Sequence, residues 1–189
     1  MFTNIVYYEF KYVKSLSERD ILTARKFQYS FRYIDDLCSA NFPEFSQHLP
    51  QIYPAELVLN KANANNNKID YLDITVSSEN NVLSFSLYDK RDSFNFEIVN
   101  FPFLDSCIPR KPALGIFYGQ MARIAKICTK YDDFCKRITE LSKRLLCQGY
   151  KKVELNRLAS RFFKEKHSLI EKFNERNVLI FLRKTIFSG

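Results

Sequence analysis

Glycine and proline are scarce in this chain, four and six residues among 189, which excludes a collagen-like, low-complexity or all-turn protein. Apolar runs are short as well. Nothing approaches the ~18 uninterrupted apolar residues of a membrane-spanning helix, and Glu9 and Lys11 interrupt the aromatic N-terminal stretch before it reads as a signal peptide. The only two histidines, His48 and His167, are too isolated to suggest a zinc site. The five cysteines, Cys38, Cys107, Cys128, Cys135 and Cys147, are odd in number and contain no C-x-x-C pair matched by a second pair, so free, mostly buried thiols in a reducing compartment are expected. These absences predict an intracellular protein, nuclear or cytoplasmic, with no membrane partner.

What is present is apolar surface and an uneven charge. The chain is 46% hydrophobic, with 18 Phe and 11 Tyr, enough to bury a core in one domain or two small subdomains. Residues 1–100 carry ten Lys/Arg against thirteen Asp/Glu, a net of −3, whereas residues 101–189 carry nineteen against eight, a net of +11. A basic surface of that size attracts a polyanion, with salt-dependent affinity; the plainer alternative is that Lys and Arg solvate exposed helix faces.

Periodicity divides the chain. Ile5, Tyr8, Tyr12 and Leu16 recur at helical spacing. Residues 27–37 are rich in aromatic and β-branched residues and broken by Asp35-Asp36, which predicts two short strands meeting at an acidic turn. A short helix is expected from Asn41 to about Leu49, ended by Pro50 and Pro54, and the five Asn within residues 60–67 mark a loop. Residues 71–76 and 82–88 alternate as strands of a second hairpin joined through residues 77–81, with a third strand expected at 94–99. After Pro102, Pro109 and Pro112 the pattern becomes helical and basic. Leu114, Phe117, Met121 and Ile124 line one helix, opposite Arg123, Lys126 and Lys130. Phe134, Ile138, Leu141 and Leu145 line a second, capped by Asp132 or Asp133 and stopped by Gly149. Leu155, Leu158, Phe162, Leu169 and Phe173 line a third, whose solvent side bears Arg157, Arg161 and Lys164. A last apolar run covers residues 178–182. The fold class expected is α+β: residues 1–100 with two hairpins, residues 101–189 as a helical, basic bundle.

Two adjacent carboxylates on a tight turn are suited to hard divalent cations, since a turn converges side chains that a strand would send to opposite faces. Asp132-Asp133 is an internal control: the aromatic two residues before the first acid is missing, and the pair reads as helix-capping.

Phe31-Arg32-Tyr33-Ile34-Asp35-Asp36-Leu37 resembles the catalytic hairpin of reverse transcriptases, and the segments behind it are most similar to those of Penelope-like retroelements. Ile69-Asp70-Tyr71-Leu72-Asp73-Ile74 and Leu87-Tyr88-Asp89-Lys90-Arg91 resemble the stretch that includes the primer-gripping hairpin. Ile108-Pro109, Tyr118-Gly119-Gln120, Arg123 and Ile127-Cys128 resemble the start of the thumb, and Gln148-Gly149-Tyr150 closes the next helix as in that family. The similarity covers about residues 1–165 and lies in the order of the motifs.

The resemblance implies an RNA-directed DNA polymerase fragment, a partial palm over residues 1–100 and a thumb-like subdomain over residues 101–189, with Asp35 and Asp36 as catalytic metal ligands for Mg2+ or Mn2+. It also implies contact with an RNA template and DNA primer duplex. Nucleic-acid-binding residues are expected to be Lys90, Arg91, Arg123, Lys126, Arg157, Arg161 and Lys164, the helical ones sharing one face. Lys61 and Lys68 fall where the family places a proton-donating lysine; an ordinary loop role is the alternative. The family's further catalytic aspartate and its fingers would lie upstream of residue 1, so the isolated chain is expected to be inactive and to need that missing portion for catalysis. The alternatives are a non-catalytic nucleic-acid-binding protein derived from a retroelement, and a degenerate product without activity.

Overall fold

The computed structural model describes residues 18–63, 67–96 and 98–173. The helix expected before Leu16 and the apolar run 178–182 lie outside the described residues. The fold is mixed α+β, with two small antiparallel sheets and, among the described residues, six α-helices. It divides into two compact units, 1–64 and 65–189. The compact units part at the Asn-rich loop, with the second hairpin region in the same unit as the helices.

In the first unit, α1 (Glu18–Lys26) runs into a single 3-10 turn (Phe27–Tyr29) and then the hairpin β1 (Ser30–Tyr33) and β2 (Asp36–Ser39), followed by α2 (Phe45–Ile52). Among the described residues Ala24, Phe27 and Phe42 form a small core, with Leu37, Phe45 and Ile52 packed around them. Phe27 and Phe42 meet edge to face at 4.9 Å, the geometry aromatic quadrupoles favour. Pro50 does not end α2. It removes one rung from the helix, yet the last turn still closes through the Tyr53 N–H donating to the Leu49 carbonyl at 2.9 Å.

The second unit begins with three strands, β3 (Lys68–Tyr71), β4 (Ile74–Glu79) and β5 (Val82–Leu87), in simple meander order. The expected strand over 71–76 is thus two strands, split by a turn at Leu72-Asp73. The loop expected at 77–81 shrinks to Asn80-Asn81, both left-handed (φ 50° and 63°) as a type I′ hairpin turn requires. No strand forms at 94–99 among the described residues. A 3-10 turn, Lys90–Ser93, redirects the chain instead, and Phe94 and Phe96 contact each other at 5.3 Å on the surface. Thr129 takes the outer edge of β5: its N–H donates to the Phe85 carbonyl, and its hydroxyl accepts from the Phe85 N–H, each at 2.9 Å.

Four helices complete the unit: α3 (Arg110–Ile127), α4 (Tyr131–Cys147), α5 (Lys152–Glu165) and α6 (His167–Ile170). The stripe Phe134, Ile138, Leu141 and Leu145 is buried as its spacing dictates, against Phe117, Met121 and Ile124 of α3 and Leu155 and Phe162 of α5. Each such aromatic or aliphatic side chain removed from water stabilises the fold by about 1.5–3 kcal/mol. Asp132 and Asp133 lie in the first turn of α4 and complement its dipole, but neither caps it; Lys130 holds the cap position without a side-chain bond. Gly149, at φ +83°, ends α4, and the next residue's N–H turns back to the Leu145 carbonyl at 3.1 Å. The expected third helix breaks at Lys166, so Leu169 and Phe173 reach the core from α6 and beyond; Phe173 stacks on Phe134 at 5.0 Å. All five cysteines are free, with Cys128 and Cys135 buried and Cys107 and Cys147 exposed. Burial pushes the Cys135 thiol up to about 11, so it stays protonated and inert. No helix among the described residues is long and apolar enough to cross a membrane.

Candidate catalytic hairpin and nucleic-acid interface

Tyr33 pairs directly with Asp36, leaving Ile34-Asp35 as a two-residue turn. Ile34 takes φ +53°, a region that costs an L-residue roughly 1–2 kcal/mol and is least comfortable for a β-branched one. Its carbonyl is held by the Arg32 Nε–H at 2.9 Å, and Arg32 lies over the Tyr53 ring at 5.6 Å. Behind the tip, Ser30 and Ser39 share a cross-strand hydroxyl bond of 2.8 Å. Asp35 occupies the turn and Asp36 opens β2; both are exposed, and neither takes part in an ion pair among the described residues.

Among the described residues no group of three or more His, Cys, Asp or Glu side chains is placed to enclose a metal ion. What the tip offers is two hard carboxylate ligands. That fits Mg2+ in the manner in which this ion is commonly held, by one or two carboxylates with water and substrate phosphates completing the shell.

A second tip repeats the first. Tyr71 pairs with Ile74 across Leu72-Asp73, and Leu72 stands at φ +56°. Here the aspartate is neutralised: Asp73 is ion-paired with Arg123 of α3. In the same sheet the Thr75 hydroxyl donates to Asp70, and Lys130 pairs with Glu79 at 3.0 Å.

The remaining expected contact residues divide into occupied and unoccupied cations. Arg91 forms a two-point pair with Asp89 (2.7 and 2.6 Å) and lies over Phe101 at 5.8 Å, so it braces the chain, while Lys90 beside it is exposed. Arg123 faces the β3–β4 turn, and Lys126 is exposed, its carbonyl accepting from Lys172 Nζ at 3.4 Å. Arg157, Arg161 and Lys164 stand exposed on α5, where with Ser160 and Glu165 they line a shallow groove. The described contacts bring together the three cations of α5; none joins Arg123 or Lys126 to that row. Lys61 and Lys68 are both exposed, the latter opening β3.

The largest polar feature of the unit was not legible in the sequence. Asp89 receives Arg91 and, at 2.8 Å, Arg144; Arg144 also reaches Asp92 at 3.0 Å; Asp92 pairs with Arg137, which holds Glu140 at 2.8 Å. This network clamps the 3-10 turn onto α4. Burial alone would raise the Asp89 carboxyl, but hydrogen bonds from Arg91 and Arg144 override it and hold the group well below the usual carboxylate range. The only signal for it was the i, i+7 spacing of Arg137 and Arg144, and nothing in that spacing names partners some 50 residues away.

No protein-family model, curated protein or solved structure matches this chain.

Proposed function

We propose that these 189 residues are part of a retroelement-type, RNA-directed DNA polymerase: the catalytic hairpin end of a palm, followed by a thumb-like helical subdomain that holds a template–primer duplex. The observation that carries the reading is the Tyr33–Asp36 tip, a strained two-residue turn that presents two exposed carboxylates with no ion-pair partner among the described residues. Asp35 and Asp36 would hold Mg2+ or Mn2+, and such an ion supplies charge stabilisation and activation of a primer hydroxyl. The cations of α5 would hold the duplex through its phosphates, with little sequence preference.

Two carboxylates do not by themselves define a two-metal site, so the 189 residues alone should not extend a primer. Supplying the fingers and first palm strands as a separate polypeptide, with magnesium, template and nucleotides, should restore extension, and Asp35→Asn should remove it again. Extension by the 189 residues alone, lost on Asp35→Asn, would show that the site is complete without a partner.

A second reading, a non-catalytic nucleic-acid-binding protein, is favoured by one observation: Arg157 and Lys164 point to solvent with no ion pair among the described residues. Duplex affinity that falls steeply with salt and persists in Asp35→Asn, without any rescue of extension, would decide for it.

A further inference from the structure

Glu165 is an acid set in a basic row. Arg157, Ser160, Arg161 and Lys164 follow one another at i, i+3, i+4 and i+7 along α5, one line on one helix face, and Glu165 joins them at the lip of the groove. Both of its oxygens are engaged: Oε1 accepts from Arg161 Nε at 2.7 Å, and Oε2 accepts from the Tyr118 hydroxyl at 2.7 Å. Tyr118 comes from α3, and its ring lies 5.8 Å from the Arg161 guanidinium. A carboxylate is thus held by a guanidinium and a hydroxyl from two different helices, the donor set that recognises an oxyanion.

We propose that Glu165 is the internal occupant of an oxyanion site formed by Arg161 and Tyr118, and that a phosphate of a nucleic-acid backbone binds α5 by displacing it. The proposal rests on the polyanion-binding part of the function above and adds an intramolecular competitor to it.

Three observations carry the step. Arg161 and Tyr118 hydrogen-bond the charged form of Glu165 and hold its carboxyl below its ordinary range, so the competitor is ionised at neutral pH. Its grip is exchangeable: the Arg161 and Glu165 side chains are 65% and 45% exposed, and a solvated i, i+4 pair is weak. A phosphate also gains what Glu165 lacks, the neighbouring Arg157 and Lys164. Cations repeated about every helical turn, ~5.4 Å, suit a chain of regularly spaced phosphates better than a single carboxylate.

The test uses the full 189-residue chain and a fluorescent RNA–DNA hybrid duplex, read by anisotropy at low salt. Glu165→Gln should bind about two- to fivefold tighter than wild type. Glu171→Gln, which removes the same charge from the exposed His167–Glu171 pair, should gain distinctly less. Equal gains in both variants would reduce the effect to net charge and overturn the proposal. Wild type that fails to bind duplex would sink the polyanion reading, and the site is then judged by a second arm, NMR of the Arg161 Nε–H during titration with inorganic pyrophosphate. A shift at lower pyrophosphate in Glu165→Gln than in wild type supports displacement; identical titrations overturn it. Binding of poly-glutamate as tight as that of the duplex would assign the groove to acidic protein segments and overturn the nucleic-acid assignment.

Discussion

The two hairpin tips, Tyr33-Ile34-Asp35-Asp36 in the first unit and Tyr71-Leu72-Asp73-Ile74 in the second, share a turn length, a closing tyrosine and a left-handed aliphatic residue (φ 53° and 56°). The sheet of each unit also carries a directly opposed serine pair, Ser30–Ser39 across β1 and β2 and Ser77–Ser84 across β4 and β5, both at 2.8 Å. Their surroundings differ. Asp73 is held by Arg123 beside a helical core that buries Phe117, Phe134 and Phe162, whereas among the described residues Asp35 and Asp36 have no ion-pair partner and the buried core beside them is Ala24, Phe27 and Phe42. The same local turn therefore serves as a brace in one place and as a free acidic tip in the other. Turn strain alone therefore does not separate the two tips; the pairing state of their carboxylates does.

The largest expected effect separates the two aspartates directly. In extension restored by a complementing polypeptide, Asp35→Asn should lower the rate by ~10³-fold, the order expected when charge stabilisation at a reacting centre is lost, while Asp73→Asn should leave extension standing. Equal losses would erase the distinction between the tips.

The difference in core size predicts the next effect. Phe134→Ala should cost the second unit about 3–5 kcal/mol in denaturant unfolding, as for other buried aromatics. Phe27→Ala removes the central ring of a core that is far smaller among the described residues, so amide exchange should show the first unit losing protection while the amides of α3 to α5 keep theirs. Loss of protection in both units together would show that they fold as one.

The charge clamp sharpens the comparison from the second unit's side. Arg144→Met should cost about 1–3 kcal/mol, because it strips hydrogen bonds from Asp89 and Asp92. Its pH dependence has a definite sign. Asp89 is depressed in the folded state, so its contribution is complete above the unfolded carboxylate value of ~3.9 and drains away as pH falls through the lower folded value. Unfolding midpoints taken from pH 7 down to pH 2 should therefore fall less steeply in Arg144→Met than in wild type.

The smallest effect tests the likeness itself. Ile34→Gly and Leu72→Gly each relieve a left-handed L-residue and should each stabilise by about 0.5–1 kcal/mol, after glycine's own entropy cost. A gain at one position only would mean that the two turns are not equivalent.

Where interactions are local, the residues themselves announced the structure. Phe134, Ile138, Leu141 and Leu145 repeat at the helical period and are buried; Gly149 supplies a positive-φ glycine where a helix must stop; the aromatic and β-branched run broken by Asp35-Asp36 is a hairpin. The turn at Leu72-Asp73 was hidden because Leu72, unlike Asp73, is not a turn former: register with β4, not propensity, puts Leu72 in the left-handed region. The alternation at 94–99 suggested a strand, but Thr129 already occupies the edge of β5 at Phe85, and the clamped 3-10 turn leads the chain elsewhere. The charge asymmetry was read as a surface for polyanions. Tertiary structure spends much of it internally, pairing Arg123, Lys130, Arg137 and Arg144 with Asp73, Glu79, Asp89 and Asp92. Sequence alone determined the helix faces, the acidic turn and the α5 row, because each is fixed by neighbours within a turn or two. Which cations remain free for a ligand was decided only by folding, since each of those ion pairs joins residues 45 to 55 positions apart in the chain, and no local pattern encodes such partners.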